Sequence, residues 1–311
     1  MMRAPFVFSS PHRGSALLIV LWVIALLSFL MVTTLMVAMQ DAETVAARSV
    51  VFRARQLAEM GIAVASHPLI KPSDPLLRGQ LAPGETFEAM ITSEEARLNL
   101  NALLTEERRP ILEKVLISWG MDKMGAEMLA DRLLDWVDPD DFKHLKGAEK
   151  REYRDAGFPG RPFNRPFQTL DEAAMVAGME VLTELKPDWK DWLTLRGSGQ
   201  LDVNEASAEM IALVTGAPAH LAQALVEQRA GPDGTLHTKD DTPMQSIEEV
   251  AALLGIAGPG AEAITAMLAL RGTTSRIVSI GRAGDYSRGI AVVLRKEGAI
   301  KVLEWREFVV E

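Results

Sequence analysis

Cysteine is absent from the 311 residues, which excludes a disulfide framework and any thiolate metal site. Basic residues are outnumbered 33 to 42, leaving a net charge of −9. A nucleic-acid carrier concentrates lysine and arginine to meet phosphates, so this balance argues against one. Catalytic signatures are missing too. The histidines at 12, 67, 144, 220 and 237 lack the i, i+4 spacing of a zinc site. No G-x-S-x-G or Walker loop occurs, and Gly255-Ile-Ala-Gly258-Pro-Gly260 lacks the spacing and the preceding strand of a dinucleotide fingerprint. The chain therefore reads as non-enzymatic. What is present, 48% hydrophobic residues against 24% charged, is enough to build a packed core.

Charge and proline are both absent from residues 15–39 (SALLIVLWVIALLSFLMVTTLMVAM). A helix of that length is about 37 Å long, enough to cross about 30 Å of hydrocarbon with some tilt. A cleaved secretory signal has an apolar region of only about 7–15 residues and a small-residue site after it, which this run lacks. Arg3 and Arg13 precede the segment, while Asp41 and Glu43 follow it. The positive-inside rule then puts the N-terminus in the cytoplasm and the bulk of a bacterial chain in the periplasm, a single pass through the inner membrane. No proline occurs between Ser15 and Pro68, and Ala47, Val50, Val51, Ala54, Leu57, Ala58, Gly61, Ile62 and Ala65 form one face of a 3.6-residue period. One helix of roughly 50 residues is expected, with its second half docked on a soluble head.

Beyond Pro68, residues 68–85 read as a loop, while Thr86–Thr92 and Arg97–Asn101 alternate as half-buried strands do. Residues 102 to about 272 are helical in pattern. Alternation returns at Arg276–Ile280, Gly289–Arg295 and Ala299–Val310, with a turn expected at Lys296-Glu297-Gly298. The helical part contains a repeat: Pro166–Met179 (PFQTLDEAAMVAGM) aligns without gaps to Pro243–Ile256 (PMQSIEEVAALLGI). Thr169-x-x-Glu172 and Ser246-x-x-Glu249 read as capping boxes, and Gly178 and Gly255 as helix ends. Asn101 and Asn204, in the related runs Leu98–Ala102 and Leu201–Ala206, are expected to cap the helices that follow. The Trp residues at 189 and 192 read as core or inter-module anchors.

Residues 201–229 resemble a helix-hairpin-helix module of DNA-binding proteins, and the competing function is a membrane-anchored periplasmic DNA receptor. Residues 199–272, however, hold three basic residues against ten acidic ones, and Thr215-Gly216-Ala217-Pro218 loses one hairpin amide to proline. The run Asp135-Trp-Val-Asp138-Pro-Asp140-Asp141, followed by Gly147-Ala-Glu149 and Tyr153, admits two readings. One is a helix end with solvated acids and Asx turns; the other is an oxygen cage for a hard cation.

The short basic leader ending Arg13-Gly14, followed by Ser15-Ala-Leu-Leu and an unbroken apolar helix, resembles a type IV prepilin leader. The resemblance implies cleavage between Gly14 and Ser15 by prepilin peptidase and methylation of the new N-terminus. The fifth mature position, usually Glu in pilins, is Ile19. A buried carboxylate seeks a partner in the fibre, and a subunit without one suits a tip. Absence of that Glu, the large helical insertion, and DPDD followed by GAE and tyrosine together resemble GspK, the minor pseudopilin K of type II secretion systems. That family implies an α+β fold: a long pilin helix on a small antiparallel sheet, with two helix-hairpin-helix or SAM-like modules inserted between strands.

Its expected divisions are a leader (1–14), a membrane part (15–39), the periplasmic helix half with the first strands (40–101), module 1 (102–198), module 2 (199–272) and the closing strands (273–311). It also implies a tip position with minor pseudopilins I, J and H, contact with cargo or the outer-membrane secretin, no nucleic acid, and structural Ca²⁺ on Asp138, Asp140, Asp141 and Glu149.

Overall fold

A computed structural model of the chain describes residues 13–295 and 300–310. Leader residues 1–12 and the expected turn at Lys296-Glu297-Gly298 lie outside the described residues. Helix α1 runs from Arg13 to Ser66, 54 residues without a break. Its apolar residues from Leu17 to Met39 are exposed on every side. From Ala54 onward one stripe turns inward: Ala54, Leu57, Ala58, Gly61, Ile62 and Ala65 are buried, the i, i+3, i+4 face expected from the sequence.

After α1, the segment expected as a loop contains a 3₁₀ turn, Pro75–Leu77, and a strand, β1 (Arg78–Ala82). Its side chains are exposed or half-buried without alternation, so periodicity could not reveal it. Strand β2 (Glu85–Ser93) pairs with it antiparallel, and the Phe87 ring covers Gly79 across the pair.

The chain then leaves the sheet. A 3₁₀ turn, Glu94–Ala96, leads into β3 (Leu98–Asn99). The strand expected at Arg97–Asn101 is only these two residues, because the Asn99 side chain accepts from Ala102 N at 3.2 Å and starts α2 (Leu100–Leu103). Module 1 continues through α3 (Arg109–Ser118), α4 (Lys123–Val137), α5 (Lys150–Asp155), α6 (Leu170–Ala173), α7 (Met179–Leu185) and α8 (Trp189–Trp192). It closes on β4 (Leu193–Thr194), which lies parallel to β3. Module 2 repeats the scheme. It opens on β5 (Leu201–Asp202), passes through α9 (Ala208–Thr215), α10 (Ala219–Arg229), α11 (Ile247–Leu254) and α12 (Ala261–Thr265), and closes on β6 (Leu268–Ala269), parallel to β5.

The two expected asparagine caps are corrected by the structure. Asn101 instead bridges the backbone of Phe167, accepting from its N and donating to its O, both at 2.9 Å. Asn204 does the same to Met244, at 2.8 and 3.1 Å, and Ser207 caps α9. Phe167 and Met244 are aligned positions of the sequence repeat, so the repeat is also a repeat of contacts. Thr169 and Ser246 cap α6 and α11, but Glu172 and Glu249 reach back to the amides of Gln168 and Gln245, one residue before the cap. Gly255 ends α11 with φ 69°, whereas Gly178, expected as a helix end, starts α7 with φ 103°.

The chain returns through β7 (Thr274–Ala283), β8 (Tyr286–Arg295) and β9 (Lys301–Val309), completing a five-stranded antiparallel sheet of order β1-β2-β7-β8-β9. α1 lies on one face, burying Ile277, Ile290, Val292 and Leu294. The approach is close at Gly281, where a Cβ would meet Ala54 O, Ala58 N and the Leu57 side chain. Where sheet and insertion meet, buried Glu95 accepts from Thr273 N (3.1 Å), Thr273 Oγ1 (2.9 Å) and Thr274 N (3.2 Å). Asp202 accepts from Gly272 N at 2.8 Å. Two buried carboxylates thus hold the chain where it leaves and re-enters the head, with their lone pairs spent on backbone and hydroxyl donors.

Candidate metal centre and exposed anchor helix

Helix α4 begins where Asp122 accepts from Gly125 N (2.7 Å), and it stops at Asp138 because Pro139 forces the preceding residue out of the helical region. Between them Asp131 and Asp135, four residues apart, point into the apolar side of the helix, where Leu129, Ala130, Leu133, Leu134 and Trp136 are also buried. Neither acid has any exposed surface. Asp131 is neutralised, with Arg109 Nη2 at 2.7 Å and Lys146 N donating at 2.9 Å. Asp135 is not. Its Oδ1 accepts from His144 N at 3.0 Å and lies against His144 Nδ1, while Oδ2 has no hydrogen-bond partner.

The loop after α4 folds back over Asp135. Among the described residues Asp138 Oδ1 is buried without a partner, and the buried Glu149 carboxylate meets only backbone amides at the start of α5. One donor atom from each of Asp135, Asp138 and His144 lies within 4.8 Å of the others. Buried acids without partners are costly in their charged form. Burial, then the charges of Asp140 and Asp135, push the Asp138 carboxyl up to about 6. Burial, then Asp135, Asp138 and Asp141, push Glu149 up to about 7. Burial opposes the charge on His144, but Asp135 and Glu106 outweigh it and hold the imidazole above its ordinary value.

Of the four sequence-predicted ligands, Asp138 belongs to this group, and Glu149 is buried near enough to feel the charges of Asp135 and Asp138 without being one of the three. Asp140 lies beside the group, with Oδ1 accepting from Phe142 N at 2.7 Å. Asp141 is turned outward, paired with Lys150 at 2.7 Å and accepting from Asn164 at 2.9 Å. Asp135 is a donor that spacing alone did not single out. Its signal was an acid four residues from another on an otherwise apolar helix face. The loop is backed by Trp136, packed edge-on to Tyr153 (5.4 Å) and Phe163 (5.2 Å), with the Tyr153 hydroxyl accepting from Ala177 N. Unpartnered carboxylate oxygens on a rigid backing suit a hard divalent cation, which takes oxygen ligands and supplies the missing charge.

The processing positions Gly14 and Ser15 fall in the first turn of α1, and Ile19 is exposed. In the α9–α10 hairpin, Gly216 N and Ala217 N donate to Ala212 O and Thr215 Oγ1, and so are occupied within the hairpin itself.

A long helix, half exposed and half docked on a small antiparallel sheet, is the fold of a pilin-type subunit; here the sheet carries a helical insertion between β2 and β7. Residues 96–187 match the family model for the type II secretion system, protein K. A solved structure of the GspK–GspI–GspJ complex from the enterotoxigenic Escherichia coli type 2 secretion system contains a chain of similar fold. It has a TM-score of 0.62 and 16% identity, covering 88% of this chain and 99% of that one. No curated protein matches the sequence. The family match covers most of module 1, and over most of the chain the fold is that of a chain in the GspK–GspI–GspJ complex.

Proposed function

We propose that this chain occupies the tip of the type II secretion pseudopilus and supports its assembly and the export of proteins across the outer membrane. The observation that carries this reading is where the insertion is attached. Gly281 lies over Ala54–Ala58 and Ser279 against Gly61, so β7 followed backward to Thr274 runs away from the membrane part of α1. The chain enters the insertion at Ser93 and leaves it at Thr274, at the end of the head farthest from the membrane. A subunit added above would have to pack where the insertion stands.

In this reading the exposed apolar half of α1 lies in the inner membrane, with the N-terminus cytoplasmic and the head periplasmic. Prepilin peptidase cuts between Gly14 and Ser15, and the new N-terminus is methylated. The solved complex holds GspI and GspJ beside GspK, and the corresponding minor pseudopilins are the proposed neighbours here, with H below them and cargo or secretin above. Calcium held by Asp135, Asp138 and Glu149, beside Asp140 and Asp141, would fix the loop between α4 and α5. The deciding experiment is intact-mass analysis of the membrane-extracted protein. A mature chain starting at Ser15 and carrying one methyl group is the expected outcome; retention of residues 1–14 in cells with active prepilin peptidase overturns the reading.

A further inference from the structure

The seam between the head and module 1 holds a cleft of about 280 Å³ that neither the fold nor the cation loop explains. Its walls come from the Glu94–Arg97 turn, α6, α8, β4 and β9. Four arginines converge there, Arg97, Arg196, Arg276 and Arg306, in a chain whose net charge is −9. Their counter-charges are poorly placed. Arg276 Nη1 is 3.7 Å from Glu94 Oε2, and Arg196 Nε is 3.8 Å from Glu304. Among the described residues, Arg97 and Arg306 make no ion pair within 4 Å and no side-chain hydrogen bond. Of the two remaining acids on the wall, Asp171 is already engaged by Lys190, and Asp191, among the described residues, comes within 4 Å of no arginine.

Burial, and then the charges of Arg276 and Arg306, hold the Arg97 guanidinium below its ordinary value, against the pull of Glu94 and Asp191. Like charges gathered in a half-buried cleft repel and raise the free energy of the folded state unless an anion joins them. Two buried polar atoms on the wall are also without partners: a donor, Arg196 Nε, and an acceptor, Glu94 Oε2. A ligand that satisfies both carries an oxyanion and an N–H group together. At neutral pH inorganic phosphate carries its O–H donors on the anion itself, whereas a peptide bearing a carboxylate adds a separate backbone N–H beside the acid. Leu170, Leu195 and Trp305 give the same cleft apolar surface for a short stretch of chain.

We propose that this cleft is a binding site for a peptide segment bearing a carboxylate, whose acid group is received by Arg196 together with Arg97, Arg276 and Arg306 and whose backbone N–H meets Glu94. The site lies at the end of the head where the insertion is attached, on the seam between the two. It does not depend on the cation loop, which lies elsewhere in module 1.

The test uses the full chain in dodecyl maltoside micelles, titrated calorimetrically with the blocked tripeptide acetyl-Ala-Glu-Ala-amide. Parallel titrations use its Gln analogue, sodium acetate and inorganic phosphate. Saturable binding of the Glu peptide is expected, weakened about tenfold or more by Arg97→Gln and by Arg306→Gln, and unchanged by Arg151→Gln on the exposed face of α5. Arg306 is exposed, so Arg306→Gln tests the site without risk to the fold. A second readout needs no ligand: Arg97→Gln is expected to raise the melting temperature of the free protein by relieving repulsion. Absence of saturable peptide binding, equal binding of the Gln analogue or of phosphate, or a lowered melting temperature in Arg97→Gln would each overturn the proposal.

Discussion

Asp138 and Glu149 illustrate how a residue's energy is set by what it lacks. Both are protonated more readily in the folded chain than in an unfolded one, at about 6 and about 7. A raised folded-state value means that the folded protein binds more protons than the unfolded chain as pH climbs from about 4 to about 7. The resulting stability is full below the unfolded carboxyl range and is lost as pH rises through the folded values. In chelator, the melting temperature should therefore fall between pH 4.5 and pH 7.5. Added calcium should reverse that fall by binding the carboxylates. Scanning calorimetry across that window, with and without calcium, reads both effects, and a flat profile in each would rule out a cation at this loop.

The same loop gives a paired substitution. Asp138→Asn with Glu149→Gln removes the charges that burial penalises. The doubly substituted protein should melt higher than the parent in chelator at pH 7.5 and show no further gain from calcium. A calcium response equal to the parent's would place the ion elsewhere. At this scale the sequence was only partly informative. The acidic run was visible as a cluster, but which acids face inward depends on where Pro139 ends α4 and on the loop closing over Asp135, neither of which spacing encodes.

Among elements, the second half of α1 was legible because a helix docked on one side must repeat its apolar residues every three or four positions. The return strand β7 was legible because a sheet with helix on one face alternates, whereas β8, also expected to alternate, is buried without a break from Gly289 to Leu294. β1 was not, since an edge strand exposed on both faces has no reason to alternate. The repeat Pro166–Met179 and Pro243–Ile256 was visible as sequence, while its purpose was not. Asn101 and Asn204 occupy cap-like positions but serve as struts to the backbone of a buried residue in the paired segment. Their spacing from those partners is long, and no local rule specifies it.

Each strut satisfies an N–H and a C=O that would otherwise be buried unpaired. Asn101→Ala and Asn204→Ala should each cost about 2–3 kcal/mol, measured by urea denaturation of the full chain in micelles. A loss under about 0.5 kcal/mol, within the range of ordinary surface changes, would mean that water replaces the strut. The closest element contact, α1 on β7, predicts a different failure. In Gly281→Ala the new methyl meets the α1 backbone itself, so helix and sheet must separate. The expected loss is about 1–3 kcal/mol, and an unchanged denaturation midpoint would contradict the packing.

At the scale of the whole molecule, the fold class followed from two patterns in sequence, one long apolar-then-amphipathic helix and strands on either side of a helical block. The match of 88% of this chain to a chain of the solved GspK–GspI–GspJ complex at 16% identity shows how little of such a fold depends on particular residues. Burial pattern, the glycine at the helix–sheet contact and the order of elements carry it. The position of the cationic cleft could not be read in advance, because Arg97, Arg196, Arg276 and Arg306 come from four separate stretches that meet only when the insertion closes back on the sheet.

Ser93 and Ser275 are cross-strand partners in the β2–β7 ladder. In topological terms everything from Glu94 to Thr273 is therefore the connection of one β-hairpin, however large. A hairpin connection can be exchanged without disturbing strand register. Replacing residues 94–273 by an Asn-Gly turn should leave β1, β2, β7, β8 and β9 paired beneath α1, with a circular-dichroism spectrum that loses helix and keeps strand. Loss of the strand signal would show that the head needs its insertion to fold. If the small head stands alone, a pilin-type subunit with the insertion and one without it differ by the length of a single turn, and a lineage could pass from one to the other by lengthening it.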